Sequence, residues 1–88
     1  MKNFRELERL VRGFSNHRRI QILSMLKKKP EMSVEEVAEV LNINFRTSSE
    51  HLRRLAIAGL VMKRNDSTSV RHRLTDRGNS ILGFLGAL

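Results

Sequence analysis

The residues best equipped for chemistry stand close together: Arg46, Thr47, Ser49, Glu50 and Arg53, within eight positions of one apolar-periodic segment. None is a catalytic set. Their types suit hydrogen bonding to the edges of nucleic-acid bases. Arg bridges guanine's two acceptors, Ser and Thr reach either base edge, and a carboxylate accepts from cytosine N4. A second basic group follows at Lys63, Arg64, Arg71 and Arg73. Side chains of that kind on a β-ribbon track phosphates or enter a minor groove. The sequence contains no nucleophile, base and orienting group that would support an enzyme.

The whole chain bears this out in its charge. It has 88 residues, with 17 Lys or Arg against 9 Asp or Glu, a net charge of +8. Residues 1–43 carry nine basic and six acidic side chains (+3); residues 44–77 carry eight and three (+5). The surplus is polarised toward the second segment and implies a polyanionic partner, nucleic acid first and an anionic membrane surface second. Long basic side chains on an ordinary solvated face are the plainer alternative. At this length one domain is expected, spanning residues 1–88. A hydrophobic content of 40% is enough for a small core. The absence of cysteine removes disulfides and thiolate metal sites and fits a reducing cytoplasm, the expected location. No apolar run approaches the ~18 residues of a membrane span.

Helical periodicity and capping signals place these residues. A first helix is expected over about 3–11, with Asn3 and Glu6 resembling a capping box and Gly13 as its stop. A second runs from His17 to Lys28 behind the N-cap Asn16. Lys27, Lys28 and Lys29 at its end are read as helix-dipole partners rather than ligand contacts. Pro30 forces an extended exit, and Glu31-Met32 could form a short strand. Ser33 and Glu36 make a capping box for a third helix. Glu35 and Glu39 on it face solvent, with nothing near them to complete a metal or acid/base site. After Asn42-Ile43-Asn44, a fourth helix spans residues 45–58, with Leu52, Leu55 and Ala56 inward. Gly59 ends it. Two helices joined by so short a turn make a helix-turn-helix. Residues 60–64 and 70–74 read as strands around a polar loop, and a last helix starts near Thr75 or Asp76.

The expected fold is mainly α with a small β-hairpin (α+β), in the order α-α-(β)-α-α-β-β-α. That is the order of a winged helix-turn-helix, with a recognition helix at 45–58 and a basic wing at 61–74. His51 is expected to pack on the hairpin or bond locally, with DNA contact second. For His72, phosphate contact and strand packing stand equal. His17 is read as structural. Three histidines far apart without cysteine make no metal site.

Several segments resemble ArsR-type transcriptional regulators. Phe14-Ser15-Asn16-His17-Arg18-Arg19-Ile20-Gln21-Ile22-Leu23 is similar to their L-A-D-P-T-R-L-R-I-L opening, and Val37-Ala38-Glu39-Val40-Leu41 to their E-L-A-E-A-L. Asn44 to Leu55 resembles their recognition helix. Ala58-Gly59-Leu60-Val61 and Leu74-Thr75-Asp76-Arg77-Gly78 resemble A-G-L-V and L-T-x-x-G. The resemblance covers residues 14–78. MarR-type regulators share several pieces but are usually longer.

The resemblance implies a non-enzymatic homodimer that binds palindromic double-stranded DNA. It places base reading at Phe45, Arg46, Thr47, Ser49 and Glu50, with Arg53 nearer the phosphates. Two positions depart from the family. Phe45 stands where a polar residue is common; it either meets a thymine methyl or packs on the neighbouring helix. Glu50 stands where a basic residue is common. Residues 1–13 and 76–88 correspond to helices that pair across the dimer, with Phe4, Leu7, Val11, Ile81, Phe84, Leu85 and Leu88 as the interface; closure of the monomer core is the other use for them. The family's metal ligands are not matched, since Met32-Ser33-Val34 stands where its cysteines lie and the last helix offers only Asp76. Neither cofactor nor metal is expected, and no membrane. The alternatives are a winged helix used as a protein-interaction module or subunit of a larger assembly, and an RNA binder, for which stacking residues are few.

Overall fold

The computed structural model describes residues 2–88. Its elements run α1 (Phe4–Phe14), α2 (His17–Lys28), β1 (Met32–Ser33), α3 (Val34–Leu41), α4 (Phe45–Ile57), β2 (Val61–Asn65), β3 (Val70–Leu74) and α5 (Asp76–Gly86). The strands form one antiparallel sheet in the order β1-β3-β2.

Local chemistry explains most boundaries. The N-caps are Asn3, Asn16, Ser33, Asn44 and Thr75, and each side chain accepts from a first-turn backbone N–H. Only Ser33 has the full reciprocal box, in which the Glu36 carboxylate also accepts from the Ser33 N–H at 2.9 Å. Asn3 is a simple cap, because Glu6 Oε1 accepts from the Asn3 side-chain amide instead of its backbone.

Some boundaries differ from expectation: α4 ends at Ile57 rather than at residue 58, and β2 is Val61–Asn65 rather than 60–64. Gly13 does not stop α1, which continues to Phe14. A Cβ at Gly13 would lie 2.4 Å from the Ala58 Cβ, so the glycine is where α1 lies closest to the end of α4. The first strand is Met32–Ser33 rather than Glu31–Met32. Glu31 has φ 68°, a left-handed conformation that ends the approach to the strand one residue late.

The core fills the space under the three central helices. Ile22, Leu23, Leu26, Val37, Leu52, Leu55 and Leu60 are fully or nearly fully buried. Each helix contributes apolar residues at helical spacing, while its polar face stays in water. Ser48 is also wholly buried, and its hydroxyl donates to the Val34 carbonyl at 2.9 Å. That bond ties α4 to the first turn of α3.

His72 on β3 is buried and carries its proton on Nδ1, since the Met32 carbonyl 3.0 Å away can only accept. Burial holds its pKa below the usual histidine range. Of its two readings, strand packing is the one observed.

Candidate nucleic-acid interface

Along α4 the buried positions are Ser48, Leu52 and Leu55. The opposite stripe is therefore Arg46, Glu50, Arg53 and Ile57, at helical spacing. Thr47 and Ser49 flank it, half-buried. The helix thus brings the expected reading residues to one surface. Phe45, at the first position, is 55% exposed, so it does not pack away against its neighbour.

These side chains are not equally free. Arg53 donates to Glu50 through Nε (3.0 Å) and Nη2 (2.9 Å), and Arg54 Nε donates to the same carboxylate at 3.1 Å. The Arg53 hydrogen bonds, aided by Arg54, hold the Glu50 pKa down to about 2. Glu50 is therefore ionised at any physiological pH, in the middle of a face that otherwise suits phosphate. Arg46 has no ion pair among the described residues and extends from the first turn into solvent.

His51 makes its hydrogen bond to the neighbouring helix α2. Its Nδ1 faces Arg19 Nη1 of α2 at 3.3 Å. Arginine can only donate, so Nδ1 accepts and the ring proton sits on Nε2. Burial and the Arg19 charge lower its pKa.

The strand register divides the wing. Arg64 stands opposite Arg71, Met62 opposite Arg73, and Lys63 opposite His72. Side chains alternate across a sheet, so Arg64, Arg71 and Arg73 share one face and Lys63 the other. Arg64 donates from Nε to Glu31 Oε2 at 3.0 Å. Arg71 donates to Glu36 Oε1 at 2.8 Å and to the Glu31 carbonyl at 3.2 Å, with Asp66 at 3.6 Å. Like charges directly opposed across strands repel; Glu31, Glu36 and Asp66 relieve that here. Glu36 is held below the usual carboxylate range, chiefly by the Ser33 N–H it also serves as helix cap. Arg71 therefore anchors the wing to the start of α3. Lys63 and Arg73 carry no ion pair among the described residues.

Sequence reasoning missed Ser48 and the Glu31–Arg64 and Glu36–Arg71 links. Ser48 was recoverable, since it shares the inward spacing of Leu52 and Leu55. The links join residues more than thirty positions apart and left no local signal.

On the terminal helices Phe4 (78%) and Phe84 (60%) are largely exposed and Val11 is half exposed; Leu88 (87%), expected on the last helix, lies just beyond its end at Gly86. Leu7, Ile81 and Leu85 are partly buried, the last two against the core. Among the described residues no three His, Asp or Glu groups gather, and no helix is long and apolar enough to cross a membrane.

Comparison with known proteins agrees with this geometry. A homodimeric winged helix-turn-helix DNA-binding domain from Mycobacterium bovis, Mb0332, described as a possible ArsR-family transcriptional regulator, is similar at 28% identity. The match covers 93% of this chain and 76% of that one, with a TM-score of 0.85. HlyU from Vibrio cholerae is 32% identical over 96% of this chain and 91% of its own, with a TM-score of 0.81. HlyU from Vibrio vulnificus, described as a transcriptional regulator, is 30% identical over 92% and 84%, with a TM-score of 0.75. No curated protein sequence matches significantly. Residues 16–78, which hold the helix-turn-helix and the wing, match the winged helix DNA-binding domain family, and the chain belongs to that family.

Proposed function

We propose that the chain is an ArsR-like transcriptional regulator that binds a palindromic duplex as a homodimer. The observation that carries this reading is the outward stripe of α4, with unpaired Arg46 at the end of the helix that enters a major groove in this fold. Arg46, Thr47, Ser49 and Glu50 read base edges, and Phe45 is placed to meet a thymine methyl. Arg53 lies nearer the phosphates. Lys63, Arg64, Arg71 and Arg73 are the wing's basic residues, the three arginines on one face and Lys63 on the other, with Arg73 and Lys63 the cations free to bind. The work is binding, with no bond made or broken, and takes place where the DNA is, in the cytoplasm.

Residues 1–13 and 76–88 supply the pairing surface through Phe4, Leu7, Val11, Ile81, Phe84, Leu85 and Leu88. Exposed apolar groups of this size on two terminal helices are best explained by a second copy covering them. The homodimeric Mycobacterium bovis domain supports this. In such a dimer the two recognition helices lie ~34 Å apart, on successive major grooves.

A gel-shift titration against salt tests the reading. With about six phosphates neutralised, log K falls with a slope of about −5 in log salt. Selection from a random duplex pool should return a palindrome. A chain that binds no duplex at low salt would sink the proposal.

A further inference from the structure

The recognition helix and wing do not account for all the cations on this side of the molecule. Between α1 and the last turn of α4 lies an open cleft of about 270 Å³. Arg9 and Arg12 form one wall, Arg53 and Arg54 the other, with Ala58 and Ile57 between them. No acidic side chain lines it. Two carboxylates pair with its arginines, Glu8 with Arg12 at 3.3 Å and Glu50 with both Arg53 and Arg54. Glu6 lines the adjoining cleft together with Lys2, Arg9 and Arg77, so the surroundings keep a surplus of positive charge. Arg9 has no ion pair among the described residues.

This crowding is built into the packing. Gly13 lets α1 lie against Ala58 where any side chain would collide, and that approach is what brings the arginines of α1 beside those of α4. Arg54 also repels Arg19, whose Nη2 donates to the Arg12 carbonyl at 3.4 Å.

We propose that this cleft is a third DNA contact, a backbone-phosphate site in which unpaired Arg9 holds the strand beside the stretch that α4 reads, with Arg12 and Arg54 adding the N–H donors that Glu8 and Glu50 leave open. The inference rests on DNA being the partner. Three observations favour a DNA strand over a free small anion. The cleft is open, and the Arg12 and Arg54 side chains are 77% and 56% exposed, as suits a surface polyanion. It is continuous with the reading face through Arg53 and Ile57, which belong to the same stripe as Arg46. Ile57, 72% exposed, offers apolar surface to a deoxyribose between phosphates. Guanidiniums match phosphate oxygens two at a time, which lysines do not.

The test compares the full chain with the double variant R9Q/R12Q and with K27Q/K28Q, which removes the same charge at the far end of α2. On the selected duplex, R9Q/R12Q should lower the salt slope by about 2 and weaken binding roughly ten-fold or more at 0.1 M salt. Its ratio of affinities for preferred and scrambled duplexes should not change. K27Q/K28Q should leave the slope nearly intact. Equal slopes for the two variants, or no change in R9Q/R12Q, overturns the proposal while leaving DNA binding by α4 standing. Absence of duplex binding by the unaltered chain is the separate failure of the DNA reading. A second measurement keeps all the arginines. The chain has no cysteine, so Ser15→Cys takes an iron chelate at one place, at the end of α1 three residues after Arg12. Radical cleavage of the backbone flanking the selected sequence is expected, and uncut flanks overturn the proposal. So does protection of the unaltered chain by pyrophosphate, lost in R9Q/R12Q, with duplex binding unchanged; that result would mark a free-anion site.

Discussion

Glu50 clasps the Arg53 guanidinium at two points, Nε to Oε2 at 3.0 Å and Nη2 to Oε1 at 2.9 Å, on the exposed stripe of the recognition helix. An arginine in that position could hold a phosphate with the same two donors. Here a carboxylate of its own helix occupies them. The pair therefore lowers the attraction of α4 for DNA in general, and a carboxylate on that face favours bases that offer an amino group.

Glu50→Gln should accordingly raise affinity for unrelated duplexes by about three- to ten-fold at low salt and steepen the salt slope, because Arg53 becomes available to phosphate. Preference among sequences should narrow. Fluorescence anisotropy with a selected and a scrambled duplex reads both effects, and a variant that binds every duplex as before would show that the clasp stays closed on DNA.

Arg46 and Arg64 should behave differently. Arg46→Ala should cost ~1–3 kcal/mol on the selected duplex and little on a scrambled one, as expected for a base contact. Arg64→Ala should weaken both duplexes alike. Its effect should be smaller than that of Arg73→Ala, because Glu31 already engages Arg64 while Arg73 is free. Binding isotherms for the three variants decide the order.

Gly13→Ala should destabilise the fold, although alanine is the better helix former by about 1 kcal/mol. The new methyl would meet the Ala58 Cβ at 2.4 Å. Overpacking of this kind costs ~1–3 kcal/mol, which outweighs the propensity gain. Denaturant melts give the sign directly.

Stability should fall as pH drops from about 7 toward 5. The folded pKa of His72 lies below its unfolded value because the ring is buried. Above the unfolded pKa both states are neutral and the term vanishes. Below it the unfolded chain takes up a proton that the folded chain refuses, so folding weakens. His51 contributes in the same direction. His72→Gln should flatten the thermal-melt profile between pH 7 and 5, whatever it does to the melting temperature at pH 7.5.

Glu36 serves two structures at once, capping α3 and holding Arg71 of the wing. Glu36→Ala should therefore lower stability by roughly 1 kcal/mol, as a lost cap does. Arg71→Ala keeps the cap but should loosen the wing. Amide exchange on β2 and β3 should speed up in both variants, whereas exchange on α3 should change only in the first.

The helices and their order were legible in the sequence because caps and apolar spacing are local. Asn16, Ser33, Asn44 and Thr75 each sit beside the turn they close. The spacing of Leu52 and Leu55 fixed which face of the recognition helix turns outward, and so which of its polar residues stand together. The chain's +8 charge, polarised toward residues 44–77, pointed to a polyanionic partner. Tertiary structure decided which cations are free. Arg71 and Arg64 look like Arg73 in the sequence, yet Glu36 and Glu31, brought up from more than thirty residues away, engage the first two. The role of Gly13 also depended on a distant residue: as a helix stop it needs only its own backbone, but as a contact it needs Ala58. Arg9 and Arg12 joined Arg53 and Arg54 for the same reason. Local propensity acts within a few residues, whereas ion pairing and close packing act through space, and only the folded chain brings those partners together.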